Sequence, residues 1–136
     1  MKKIILALLL LIFSAAANAQ TADELVLEKG VAAHAGIDAI YKTFSAAYRA
    51  LDVEKVANLY TENAAYLAPN DDVLQGREAI RPGFKSFFDW VKKEGRTMTI
   101  SFRILQRRVD NNLGYDVGIF TIRQFKDGTP VGDAGQ

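Results

Sequence analysis

Cysteine is absent from the chain, and histidine occurs once, at position 34. Without thiols there is no disulfide brace, no thiol nucleophile and no thiolate metal ligand. One imidazole cannot assemble the three or four ligands that zinc takes, so no metal site is expected. Phosphate loops, nucleophile elbows and dinucleotide fingerprints are missing too, and no cofactor is expected. Neither sign of charge dominates, with 17 Lys and Arg against 16 Asp and Glu. That balance gives no electrostatic case for nucleic acid or an anionic membrane surface. There is no internal repeat and no low-complexity tract.

One long apolar run exists, at the N-terminus. Lys2 and Lys3 precede Ile4 to Phe13, and Ala17-Asn18-Ala19 ends the segment before Gln20. This is the layout of a secretory signal peptide over residues 1–19, cleaved after Ala19. A membrane span needs about 20 apolar residues, and this run turns small and polar too early. No cysteine for lipidation and no twin-arginine pair is present, so the expected product is periplasmic or secreted, with no membrane association after cleavage. The 117 residues that remain suit one domain. Residues 20–30 read as a polar lead-in, with Thr21 or Asp23 capping a first helical turn, and residues 31–136 as the domain.

From Val31 onward, Ile37, Ile40, Tyr41, Phe44, Tyr48 and Leu51 recur at helical spacing, with Lys42, Ser45 and Arg49 on the opposite side. His34 precedes that face and reads as a solvated side chain. Asp52 predicts the N-cap of a short second helix carrying Val53, Val56, Leu59 and Tyr60. Ala64 to Pro69 reads as a short strand, the Asn70-Asp71-Asp72 cluster as a turn, and Val73-Leu74 as its return. The two aspartates could ligate calcium, but no loop of alternating oxygen donors surrounds them. Gly76 opens a helix burying Ile80, Phe84, Phe87, Phe88 and Val91, and Pro82 predicts a kink or a late start. Met98, Ile100, Phe102 and Ile104 alternate with polar residues as a half-buried strand. Leu105 follows Ile104 directly and breaks the phase, which predicts a β-bulge. A turn over residues 110–114 leads into Tyr115 to Phe125, apolar on both faces and therefore central in its sheet. After the Asp127-Gly128 turn signal, the remaining residues predict no hairpin partner.

The order of helix, helix, short hairpin, helix and long strands resembles the nuclear transport factor 2-like fold. More narrowly, the stretch LYTENAAYLAPNDDVLQGREAIRPGF is similar to the SnoaL-like group, in the large branch whose function is unknown. Leu59-Tyr60, Glu62-Asn63-Ala64, Gly76-Arg77-Glu78-Ala79-Ile80 and, more weakly, Tyr115-Asp116-Val117-Gly118 carry the match. The resemblance implies an α+β cone, helices packed on a curved, mostly antiparallel sheet, and a homodimer formed through that sheet. Relatives usually add two strands, the last pairing with the first. The expectation here is that these are missing, that the domain is C-terminally incomplete, and that its sheet is split with exposed edges.

Ketosteroid isomerases share the fold and use an aspartate base with a tyrosine and a protonated acid as oxyanion hole. The register through Leu59-Tyr60 puts the base at Ala68 and the tyrosine at Phe44, so neither group is present. The remaining ligand-binding candidates are Tyr48, Tyr66 and Trp90, aromatics suited to a small, mostly apolar molecule inside the cone. The competing and favoured reading of each is a core residue whose polar tip meets water or backbone. Asp116 is the catalytic candidate: an acidic residue in an apolar strand, whose burial would raise its pKa toward that of a general base. Lys92-Lys93 and Arg107-Arg108 read as solvated charge. The chain is thus expected to be an exported binding module, with an isomerase-, dehydratase- or cyclase-type enzyme using Asp116 or a pocket tyrosine as the alternative.

Overall fold

A computed structural model of the chain describes residues 24–67 and 72–135. The leader over residues 1–19, Thr21, Asp23, Ala68, Pro69, Asn70, Asp71 and Gln136 lie outside the described residues. The described part of the lead-in, residues 24–30, holds a strand and no helical turn. Leu25–Leu27 is a strand, β1, paired in parallel with Phe102 to Ile104. The apolar, branched LVL triplet satisfies its backbone more fully along an existing strand than in an isolated turn.

The first helix, α1, spans Ala35–Ala50 and begins four residues later than the periodicity suggests. Its N-cap is His34, whose Nδ1 accepts from the Ile37 amide at 3.3 Å while Asp38 accepts from the His34 amide at 3.1 Å. The lone histidine therefore has a structural partner, filling a helix-end donor that would otherwise need water. Leu51 closes α1 in the left-handed region at φ 53°. Ser45 is a second correction: it is buried, and its hydroxyl donates to the Ile100 carbonyl at 3.0 Å. Ile40 turns outward and is exposed.

Asp52 caps α2, Val53–Ala57, by accepting from the Lys55 amide at 3.0 Å. Next, β2 (Ala65–Tyr66) pairs antiparallel with β3 (Leu74–Gln75) as a separate two-stranded sheet. The third helix, α3, spans Arg77–Lys93, beginning directly after Gly76 and continuing through Pro82 without a late start. Gly76 has φ 87°, and a Cβ there would lie 3.0 Å from the Glu62 carbonyl. Its amide donates to the Ala64 carbonyl at 2.7 Å, and Arg77 Nε donates to the Tyr60 carbonyl at 2.6 Å. The Gly76-Arg77 pair thus ties the start of α3 back to the α2–β2 corner, and glycine is the residue that tolerates this backbone.

The large sheet has the order β1-β4-β5-β6, with β4 at Arg96–Asp110, β5 at Leu113–Lys126 and β6 at Thr129–Gly135. The expected bulge is present: the register shifts between Ile104 and Gln106, leaving Leu105 out of the pairing. The absence of a hairpin partner is not. β6 pairs with β5 from Lys126–Thr129 to Thr121–Gly135, so β5 lies between two strands. The turn signal at Asp127-Gly128 starts a true hairpin even though β6 carries few of the apolar residues that mark a buried strand. The β2–β3 pair is separate from the large sheet, the split expected without the family's last strand. The core forms where α1 and α3 cover one face of β4 and β5. Ala47, Tyr48, Val56, Ile80, Phe84, Phe88, Val91, Met98 and Ile100 form one buried cluster. No helix among the described residues is long and apolar enough to cross a membrane.

Candidate functional site

Among the described residues, two cavities open along the helix-facing side of the large sheet. The larger, of 620 Å³, lies between the N-terminal half of α1, the end of α2 and the β4–β5 hairpin. Ile37, Tyr41, Phe44, Tyr60 and Phe102 form its apolar walls, and Asp116 is its buried polar group. The smaller, of 280 Å³, is lined by Tyr48, Tyr66, Phe84, Phe87 and Ile122, among others. Phe44 and Tyr60 separate the two. Phe44 stacks on Tyr48 at 5.2 Å, and Tyr60 meets Tyr66 edge-on at 5.9 Å and 90°. Such offset and edge-to-face pairs fix ring positions as well as burying area.

The bulge after Ile104 organises the polar end of the larger cavity. Beyond it, the alternation of β4 is inverted, and Arg107 faces inward in register with Asp116. The close approach of the strands here depends on Gly118, where a Cβ would lie 2.6 Å from the Arg103 carbonyl. Arg107 grips Asp116 with two bonds of 2.8 Å, from Nε and Nη2. Its Nη1 donates to Asp38 on α1 at 2.7 Å and to the Ala32 carbonyl at 3.2 Å. One guanidinium therefore joins β4, β5, α1 and the loop before α1. Its side chain is only 3% exposed, against 7% for Asp116 and 16% for Asp38. The reading of Arg107 as solvated charge is overturned. Planar, bidentate pairing is the arrangement in which arginine compensates a buried carboxylate best.

This clamp also reverses the direction expected for Asp116. Arg107 lowers its pKa below the usual carboxylate range, outweighing the upward push of desolvation, and the Tyr41 phenol adds to the lowering. Asp38 is lowered in the same way, chiefly by Arg107. Burial drives the phenols upward: desolvation is the largest cause at Tyr41, Tyr48, Tyr60 and Tyr66, with Asp116 contributing at Tyr41. At neutral pH the cavity therefore presents a fixed anion among neutral phenols. An anion with a lowered pKa accepts hydrogen bonds and attracts positive charge, but it is a poor proton acceptor.

The sequence candidates do not come together at one place. Asp116 lines the larger cavity, whereas Tyr48 and Tyr66 line the smaller. Trp90 is exposed near the end of α3, stacked on Phe87 at 6.2 Å with the Arg96 guanidinium 5.0 Å from its ring centre, and lines neither cavity. Phe44 is part of the wall between them. Tyr41, Arg107 and Asp38 were not singled out from sequence, although the bulge and the turn at residues 111–112 together set the register that opposes Arg107 to Asp116. Among the described residues no group of three or more metal-ligating side chains gathers.

With that geometry in place, the model of the SnoaL-like domain matches residues 41–132. A putative calcium/calmodulin-dependent protein kinase II association domain from Xanthomonas campestris superposes with a TM-score of 0.58 at 23% identity, over 84% of this chain and 78% of that one. A domain of unknown function with a cystatin-like fold from Nostoc punctiforme gives 0.55 at 21% identity, covering 74% of this chain. The present chain spans 59% of the length of that Nostoc protein. A ketosteroid isomerase-like protein from Erwinia carotovora atroseptica gives 0.52 at 16% identity, over 74% and 75%. At these identities the likeness establishes the fold alone. No protein of curated function matches the chain.

Proposed function

Because the chain belongs to the SnoaL-like domain family, we propose that it is an exported module that binds a small, mostly apolar or aromatic molecule in the cleft between α1 and the β4–β5 hairpin. The carrying observation is the 620 Å³ cavity itself, walled by aromatic and aliphatic side chains with the Asp116 carboxylate held inside. Size, apolar walls and few polar groups are the usual makeup of a small-molecule site. The smaller cavity beside Tyr48 and Tyr66 is an adjoining chamber rather than the primary site. Thermal-shift measurement with apolar and aromatic metabolites tests the reading, since a ligand that binds the native state raises its stability. A panel that shifts the protein, and loses its effect when Tyr41 and Phe44 are replaced by alanine, supports it; a shift indifferent to those residues contradicts it.

The isomerase-, dehydratase- or cyclase-type alternative needs a group that titrates near neutral pH inside the cleft. Asp116 is held below that range and the phenols above it, which favours binding over turnover. Turnover of any bound compound that disappears in Asp116→Asn would reverse this preference. Homodimerisation is proposed through the outer face of the large sheet, where Val26, Leu105, Tyr115 and Val117 are exposed. Sedimentation equilibrium checks it, and a monomer at micromolar concentration would remove it. Export is proposed from the leader, and a periplasmic or secreted product whose mass begins at Gln20 is the expected finding.

A further inference from the structure

We propose that the ligand of the larger cleft is an organic cation, an apolar or aromatic body bearing a protonated amine. The inference rests on the reading of that cleft as a ligand site and adds the charge of its occupant. Among the described residues no lysine or arginine lines the cavity, while two carboxylates do: Asp116 inside and Asp110 at the hairpin turn. Four aromatic rings share the lining, those of Tyr41, Phe44, Tyr60 and Phe102. The face of each ring is the negative end of its quadrupole and attracts a cation most strongly where water is excluded.

The charge balance behind the wall points the same way. One guanidinium is shared between Asp38 and Asp116, so this trio carries a net negative charge rather than cancelling. Lys42 also acts on Asp38, as the smallest of the influences on it. His34, at the mouth, has its Nδ1 engaged as the acceptor for the Ile37 amide at 3.3 Å. A carboxylate offers about four acceptor positions. Arg107 takes two of them at Asp116 and the Tyr41 phenol faces the same group, which leaves capacity for a donor from the cavity side. An anionic ligand would meet like charge that one guanidinium offsets only in part, and a neutral one would gain only the apolar contacts.

The test uses three probes of one shape and different head charge: 2-phenylethylammonium, 2-phenylethanol and phenylacetate. Each is titrated into the full chain by calorimetry, with the binding site located by competition against an aromatic reporter in wild type and in Phe44→Ala. The ammonium is expected to bind roughly threefold to thirtyfold tighter than the alcohol, with phenylacetate weakest and the spread narrowing at high salt. Asp116→Asn should compress that order. Should this variant fail to fold, Asp110→Asn, at an exposed turn, should compress it in part. Equal affinities for ammonium and alcohol, or tightest binding by phenylacetate, would overturn the charge preference and leave the cleft standing as a site. Absence of cleft binding by all three would remove the site and the preference together.

Discussion

Replacing Arg107 by methionine keeps most of the side-chain volume and removes the only positive charge between Asp38 and Asp116. Asp116 is then a carboxylate 7% exposed with no cation beside it, where Arg107 had supplied two bonds of 2.8 Å. Asp38, more exposed and at the start of α1, keeps the favourable helix dipole and the His34 amide and suffers less. Stripping one partner from a buried pair costs about 3–5 kcal/mol, because the stranded charge must be protonated or hydrated. Domains of this size have a net stability of about 5–15 kcal/mol, so the loss takes a large share of the total. Urea unfolding reads it as a drop in midpoint at unchanged slope. The double variant Arg107→Met/Asp116→Leu should recover much of the loss, since it leaves no orphaned charge on β5. A single-variant loss below about 1 kcal/mol, the value of a surface pair, would refute the description of the clamp as buried and compensating.

The pH dependence follows from the same groups. Asp38 and Asp116 have folded pKa values below their ordinary ones, so their stabilisation is present above about pH 4 and lost as acid protonates them; midpoints measured in urea between pH 6 and 2 should fall steeply below that point, and much less so in Arg107→Met. Burial raises Tyr41, Tyr48 and Tyr60, so the native state holds phenol protons that the unfolded chain releases above about pH 10, and stability should fall again at that end. Gly118→Ala places a methyl against the Arg103 carbonyl and Ile104 and should cost about 1–3 kcal/mol. Gly83→Ala, in α3 with nothing within 4 Å, should stabilise by about 0.5–1 kcal/mol; equal effects from the two glycines in thermal unfolding would contradict the close strand approach. Ser45→Ala removes the hydroxyl bond to the Ile100 carbonyl across the α1–β4 contact and should cost about 1 kcal/mol in the same assay.

The parts of the fold legible in the sequence are those where periodicity and turn chemistry agree. The second helix shows itself through Asp52, the third through Gly76 and its aromatic spacing, and the bulge through the Ile104-Leu105 phase break. Sequence reasoning failed where a tertiary partner supplies the missing signal. Leu25–Leu27 is too short to register alone and becomes a strand because β4 offers an unpaired edge. β6 is rich in glycine and polar residues, and only its pairing with β5 makes it a strand. Ser45 looks solvated on a helical wheel until the Ile100 carbonyl is seen to receive it. At the site, Asp116 was visible as an acid in an apolar strand, but its pKa direction was not, because that depends on which residue lies opposite. Carrying the bulge through the hairpin register would have placed Arg107 there. Trp90 is the converse case, a large aromatic chosen by its type that stands exposed near the end of α3.

Assigned backbone amide shifts, followed while 2-phenylethylammonium is titrated into the labelled protein, test the account most directly. Perturbations should concentrate at Ile37, Tyr41, Phe44, Tyr60 and Gly114 to Asp116, the residues around the larger cavity, and leave the amides around Trp90 unmoved. Shifts centred on Trp90 and Arg96, or a protein that saturates with no change at Tyr41 and Asp116, would contradict the placement of the binding site in the cleft.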